Sequence, residues 1–216
     1  MPGLFDNLPT PVDAPEQIGP GAFILRGFVE ADALKLIGAL DGVLKRAAWR
    51  HMVTPSGHRM SVAMTNCGRA GWVSDKSGYR YQPEDPLTGL VWPEMPDAFL
   101  AVAKAAALRS GFEHFSPDVC LVNRYQPGAR LSLHQDRDER DFSQPIVSVS
   151  LGLPATFLFG GLDRKNPIRR LRLESGDVVV WGGPSRLAYH GIAPLAAGEH
   201  PLTGPYRINL TFRKAM

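Results

Sequence analysis

The spacing of apolar and polar positions changes along the chain, from helical periods to strict alternation, and the elements it predicts change with it. Ala22 to Leu25 is a short apolar run. From Glu30 to Leu44 the apolar positions Ala33, Leu36, Ile37, Leu40 and Leu44 recur three or four apart, which predicts a helix with Asp32 as its candidate cap. Pro96 to Leu108 predicts a second helix, opened by Pro96-Asp97 and stopped near Gly111. Strands follow at Asp118–Tyr125, Gln144–Leu151, Thr156–Phe159, Ile168–Leu173, Asp177–Trp181, Arg186–His190 and Tyr206–Arg213. Turn signals such as Gln126-Pro-Gly128, Gly182-Gly-Pro184 and Gly204-Pro205 separate them. Short strands with no helix between them predict a sandwich or barrel, so the expected class is mainly β with flanking helices.

The remaining segments complete the layout. Residues 1–20 read as an extended arm within a single domain of 216 residues. Residues 49–93 form a hairpin-rich subregion, with alternation at Met60–Asn66 and Tyr79–Tyr81 and many aromatic side chains. The strand-rich core is expected over residues 116–213.

Composition narrows the class without identifying it. A hydrophobic share of 44% and a charged share of 21% fit a soluble globular domain, and 22 glycines with 19 prolines suit short strands joined by turns. The formal charge of +3 permits nucleic-acid binding but does not argue for it. The two cysteines, Cys67 and Cys120, build neither a disulfide framework nor a zinc-finger spacing, so a reducing compartment, the cytoplasm, is expected. The N-terminus lacks the basic and apolar regions of a secretory signal, and no apolar run is long enough to span a membrane.

Chemistry enters at His134-Gln135-Asp136. In extended backbone the imidazole and carboxylate share one face, and with a third histidine they would make a facial triad suited to iron(II). The tripeptide alone is weak, since short motifs recur by chance and most such cases are surface turns. His190, in Ala188-Tyr-His-Gly191 directly after a predicted strand, is the candidate third ligand; a buried structural histidine is the alternative. The alternating run Tyr206–Arg213 puts Arg207, Asn209, Thr211 and Arg213 on one face. By itself this could be an edge strand with its polar face in water. Two arginines on one face can also clamp a dicarboxylate, and Asn123 with Tyr125 makes a second polar pair on one strand face.

Together, Asn123-Arg-Tyr125-Gln-Pro-Gly128-Ala-Arg-Leu131-Ser-Leu-His134-Gln-Asp136, His190 and Arg207-Ile-Asn209-Leu-Thr-Phe-Arg213 resemble the AlkB family of alkylation-repair dioxygenases, over roughly Trp49 to Arg213. The resemblance implies a double-stranded β-helix, or jelly roll, with residues 49–93 as a nucleotide-recognition lid. It implies iron(II) on His134, Asp136 and His190. 2-Oxoglutarate would lie with its 1-carboxylate on Asn123 and Arg213 and its distal carboxylate on Tyr125, Arg207 and Asn209, with dioxygen as the second cosubstrate. Trp72 would stack on a flipped base opposite the His134 ring. Tyr79, Arg80 and Tyr81 would hold substrate phosphates and base edge, Asp138 would sit near the base, and Arg164 would meet the strand's backbone. On their own, Trp72 could be a core aromatic, Asp138 a loop acid and Arg164 part of a solvated basic loop.

The implied reaction is oxidative demethylation of 1-methyladenine and 3-methylcytosine in single-stranded DNA, with double-stranded DNA and RNA as further candidates, giving formaldehyde, succinate and carbon dioxide. Such cationic lesions suit an indole face and cost less to unpair. Alternatives are the same chemistry on RNA, a protein side chain or a small metabolite, and a non-catalytic reader of damaged bases. A monomer without a stable protein partner is the default.

Overall fold

In a computed structural model of the chain, residues 14–216 are described. Strands β1 (Glu16–Gly19) and β2 (Ala22–Leu25) form a hairpin, followed by helix α1 (Ala33–Leu44). Next come β3 (Ala63–Gly68), β4 (Gly71–Asp75), β5 (Gly78–Gln82) and helix α2 (Asp97–Arg109). The second half is β6 (Val119–Tyr125), β7 (Leu131–His134), β8 (Ile146–Gly152), β9 (Ala155–Phe159), β10 (Arg169–Leu173), β11 (Val178–Trp181), β12 (His190–Ile192) and β13 (Arg207–Arg213). A 3-10 turn at Gly183–Ser185 precedes β12.

Two sheets enclose the site. The larger runs β1-β2-β11-β8-β13-β6-β3, the smaller β10-β9-β12-β7, and β4 with β5 makes a separate hairpin. Ile146, Val179 and Trp181 of the larger sheet pack with Phe157, Phe159 and Ile192 of the smaller, giving the jelly roll its interior. Both helices cover the other face of the larger sheet. There Leu36 and Leu40 of α1 and Phe99 of α2 join Val149, Leu210 and Phe212 in one cluster, with Phe99 edge-on to Phe212 at 6.0 Å. Each such buried side chain contributes about 1.5–3 kcal/mol. Tertiary burial rather than capping holds α1, because Asp32 stands at its N-cap without a side-chain hydrogen bond. Covering both faces explains why β8 and β13 are buried at every residue.

The structure departs from the sequence reading in several places. Of the arm at residues 1–20, residues 1–13 lie outside the described residues, and Glu16–Gly19 is a strand paired with β2. The first helix starts at Ala33 with Asp32 at its N-cap, the residue the sequence offered, so Glu30 and Ala31 lie in the turn before it. Within 49–93, Ala63–Gly68 belongs to the larger sheet, where it pairs with β6. Leu131–His134, not assigned to a strand from sequence, is β7. The strand expected at Arg186–His190 is a 3-10 turn and loop, and pairing begins only at His190. The cause is Arg186, drawn inward to the Gln144 and Asp136 carbonyls and the Glu139 carboxylate.

Candidate active site

His134 closes β7 and His190 opens β12, and the antiparallel register sets them opposite one another with ring centroids 4.4 Å apart. Gly191 permits this approach: a Cβ there would stand 2.6 Å from the Leu131 carbonyl oxygen. Asp136, two residues past His134, turns back so that its carboxylate lies 3.5 Å from His134 Nε2 and 3.8 Å from His190 Nε2. One ligand atom from each residue falls within 4.8 Å of the others, the separation a single metal ion needs. His134 Nδ1 lies 2.8 Å from the Ser132 carbonyl and His190 Nδ1 3.0 Å from that of Ala188. Each Nδ1–H donates to its carbonyl, which leaves both Nε2 lone pairs for a metal. Gln135, between the ligands, points away and donates to the Leu187 carbonyl, tying β7 to the segment that delivers His190.

Electrostatics prepare these groups. Burial, together with the charge of His134, pushes the His190 pKa down to about 4, so its ring is neutral at ordinary pH. Burial opposes ionisation of Asp136, but the Arg213 guanidinium and the two imidazoles together outweigh it and hold the carboxyl well below its usual range. Arg213 donates from Nε to Asp136 Oδ2 at 2.8 Å and approaches it with Nη2 at 2.6 Å.

Beside the triad is a buried polar wall. β13 is central in the larger sheet, between β8 and β6, which rules out the alternative of an edge strand with its polar face in water. Arg207 is 1% exposed; its Nη2 donates to Ser150 Oγ at 3.0 Å and its guanidinium lies 5.0 Å over the Tyr125 ring. Burial lowers the Arg207 pKa, and burial raises that of Tyr125. Arg207 Nε and Nη1, Arg213 Nη1 and Asn123 Oδ1 are buried without partners among the described residues. Unpaired buried guanidinium donors are costly. They call for an anion, and a carboxylate is the natural match. Asn209 shares this face opposite Asn123, yet its Nδ2 already donates to Ser148 Oγ and the Val149 carbonyl, and its Oδ1 accepts from Thr211.

The β4–β5 hairpin supplies the aromatic side. Trp72 stands opposite Tyr81 in the hairpin register, and its indole N–H donates to Asp138 Oδ2 at 2.7 Å. Tyr79 stacks on Trp72 at 5.6 Å, and the Tyr81 hydroxyl donates to Glu139 Oε1 at 2.7 Å. A cavity of about 260 Å³ opens here, lined by Tyr79, Arg80, Tyr81, Asp138 and Arg140. Arg80 is paired with Asp75 through both terminal nitrogens. Arg164 is exposed, donates to the Leu133 carbonyl at 3.0 Å and lies 5.8 Å over the Tyr189 ring. Sequence reasoning missed Glu139 and Arg186, an ion pair at 3.1 Å with both side chains buried. The run Arg137-Asp-Glu-Arg-Asp141 carries no signal separating a buried acid from solvated ones.

The comparisons with known proteins agree with this geometry. Residues 21–213 match the model of the 2OG-Fe(II) oxygenase superfamily. The Escherichia coli alpha-ketoglutarate-dependent dioxygenase AlkB is 58% identical over 93% of this chain and 93% of its own. The DNA N(6)-methyladenine demethylase ALKBH1C of Arabidopsis thaliana is 35% identical over 68% of this chain and 38% of its own length. The solved structure of OsALKBH1 superposes with a TM-score of 0.81 at 31% identity, covering 93% of this chain and 99% of that one. The chain belongs to the 2OG-Fe(II) oxygenase superfamily and, within it, to the AlkB family of dioxygenases. It is therefore an iron(II)- and 2-oxoglutarate-dependent dioxygenase that consumes dioxygen. The residues fit both groups: two imidazoles with free Nε2 atoms and a carboxylate for the metal, and unpaired guanidinium donors for the cosubstrate.

Proposed function

We propose that this enzyme removes N-alkyl groups from nucleic-acid bases by oxidation, with 1-methyladenine and 3-methylcytosine in single-stranded DNA as its main substrates. Double-stranded DNA and RNA are secondary ones. The supporting observation is the Trp72–Asp138 pair, an indole face with a carboxylate at its edge, on a hairpin hydrogen-bonded to the loop after His134. A cationic methylated base would be held by its charge on the ring face and by the acid at its rim. The name of the Arabidopsis relative, a DNA demethylase, supports the same substrate class.

In this reading residues 49–93 act as a lid over a core at 116–213. His134, Asp136 and His190 would hold iron(II). With 2-oxoglutarate and dioxygen, the iron supplies the oxidation that turns an N-methyl group into released formaldehyde, leaving succinate and carbon dioxide. Arg213 and Asn123 would receive the 1-carboxylate of 2-oxoglutarate, and Arg207 with Tyr125 the distal one. Asn209 would join them only by exchanging one of its bonds to β8. Trp72 and the His134 ring would sandwich the base, and the sheets would exclude water. Tyr79 would extend the aromatic platform, Arg80 and Tyr81 would border the cavity for the flanking strand, and Arg164 would meet a phosphate. No helix among the described residues is long and apolar enough to cross a membrane; a cytoplasmic monomer is the form we propose.

The test is formaldehyde and succinate release from an oligonucleotide carrying 3-methylcytosine, with iron(II) and 2-oxoglutarate supplied. Stoichiometric release of both is expected. An enzyme that makes succinate but no formaldehyde on any alkylated oligonucleotide would overturn the substrate assignment.

A further inference from the structure

Two adjacent acids meet the hairpin, and they differ in kind. Trp72 and Tyr81 are cross-strand partners, and they donate to the consecutive carboxylates of Asp138 and Glu139. Asp138 is exposed, at the mouth of the cavity lined by Tyr79 and Arg80. Glu139 is 6% exposed, and every contact it makes is internal. Its Oε2 accepts from Arg186 Nη2 at 3.1 Å; its Oε1 accepts from the Tyr81 hydroxyl and lies 3.4 Å from Arg213 Nε. Arg186 in turn donates to the carbonyl oxygen of Asp136, and Arg213 to its carboxylate.

We infer that Glu139 is a positioning residue for the reaction, the fixed latch that ties the substrate hairpin to the metal centre. It touches neither base nor cosubstrate. It acts through Tyr81 on one side, and through Arg213 and Arg186 on the other. Asp138 is the exchangeable contact, free to release the indole N–H and turn to a bound base, while Glu139 holds the Tyr81 side of the hairpin and Asn66 the Trp72 backbone. A buried carboxylate shared among three donors from separate segments persists only when the geometry is satisfied on every side. Losing one donor therefore loosens the segment that supplied it. The inference rests on the proposed function for its kinetic consequence, though not for its structural one.

The Tyr81→Phe variant cuts the tie while leaving the Glu139–Arg186 pair intact, so it is the cleaner probe; Glu139→Gln removes the charge itself. Amide hydrogen exchange on the metal-free protein reads the latch directly. Exchange of the Trp72–Tyr81 hairpin should quicken by about tenfold in Tyr81→Phe, with β6 and β13 unchanged. In the iron-loaded enzyme, KM for the 3-methylcytosine oligonucleotide should rise about five- to tenfold in both variants. kcat should fall further in Glu139→Gln than in Tyr81→Phe, because only the former removes a contact to Arg213. The double variant should match Glu139→Gln alone rather than sum the two effects. Unchanged hairpin exchange in Tyr81→Phe, or additive effects in the double variant, would overturn the latch. If the parent enzyme fails to demethylate the oligonucleotide, hydrogen exchange still decides the latch, and only the proposed function falls.

Discussion

The metal and cosubstrate pocket and the hairpin beside it are held by opposite means. In the pocket the groups ride on paired strands, their ring nitrogens fixed by main-chain carbonyls and their arginines buried. In the hairpin a two-stranded ribbon, marginal alone, hangs mainly on side chains. Asn66 bonds both backbone groups of Trp72, Ser74 and Gln82 take single bonds to Val53 and Trp92, and Trp72 and Tyr81 reach the loop after His134. Oxidation demands a rigid, water-free centre, whereas admitting a polymer demands a part that can yield. The fold places the boundary between the two at Asp136–Glu139, four residues that carry a metal ligand and the acids that receive Trp72 and Tyr81.

Substitutions should separate the two regions by size of effect. His134→Ala removes a metal ligand and should abolish formaldehyde release, as should a chelator; retention of most activity would refute the ligand assignment. Arg207→Ala removes charge-assisted bonds contributing about 1.5–3 kcal/mol, so the KM for 2-oxoglutarate should rise roughly 10- to 100-fold. Arg207→Lys should recover only part of this, because it lacks the planar fork. Trp72→Ala takes away a stacking face worth about 1–3 kcal/mol per base. It should raise KM for the oligonucleotide about tenfold, with the KM for 2-oxoglutarate nearly constant. Arg164→Ala should be the mildest, a two- to threefold weakening that lowers the salt-dependence slope by about one. A Trp72 variant that weakens 2-oxoglutarate as much as DNA would erase the distinction between the regions.

The pocket was far more legible in the sequence than its supports. Strict alternation from Arg207 to Arg213 showed which residues share a face, and the structure puts that face inside. The face alone does not tell buried from wet; that came from the neighbours β6 and β8, which lie far away in sequence. The strand expected at Arg186–His190 failed for the same reason, since Arg186 follows long-range partners rather than local propensity. β7 is too short for its alternation to show, and Glu139 is hidden in a charged run whose burial depends on Arg186, 47 positions away. Local pattern predicts the strand; only tertiary pairing predicts what a charge on it meets.

The most direct test of the central claim is the mass of a single-stranded oligonucleotide carrying one 3-methylcytosine, before and after incubation with the enzyme. The account predicts loss of one methylene's mass, dependent on iron(II), 2-oxoglutarate and dioxygen together and absent in His134→Ala. An unchanged oligonucleotide while succinate accumulates would contradict it.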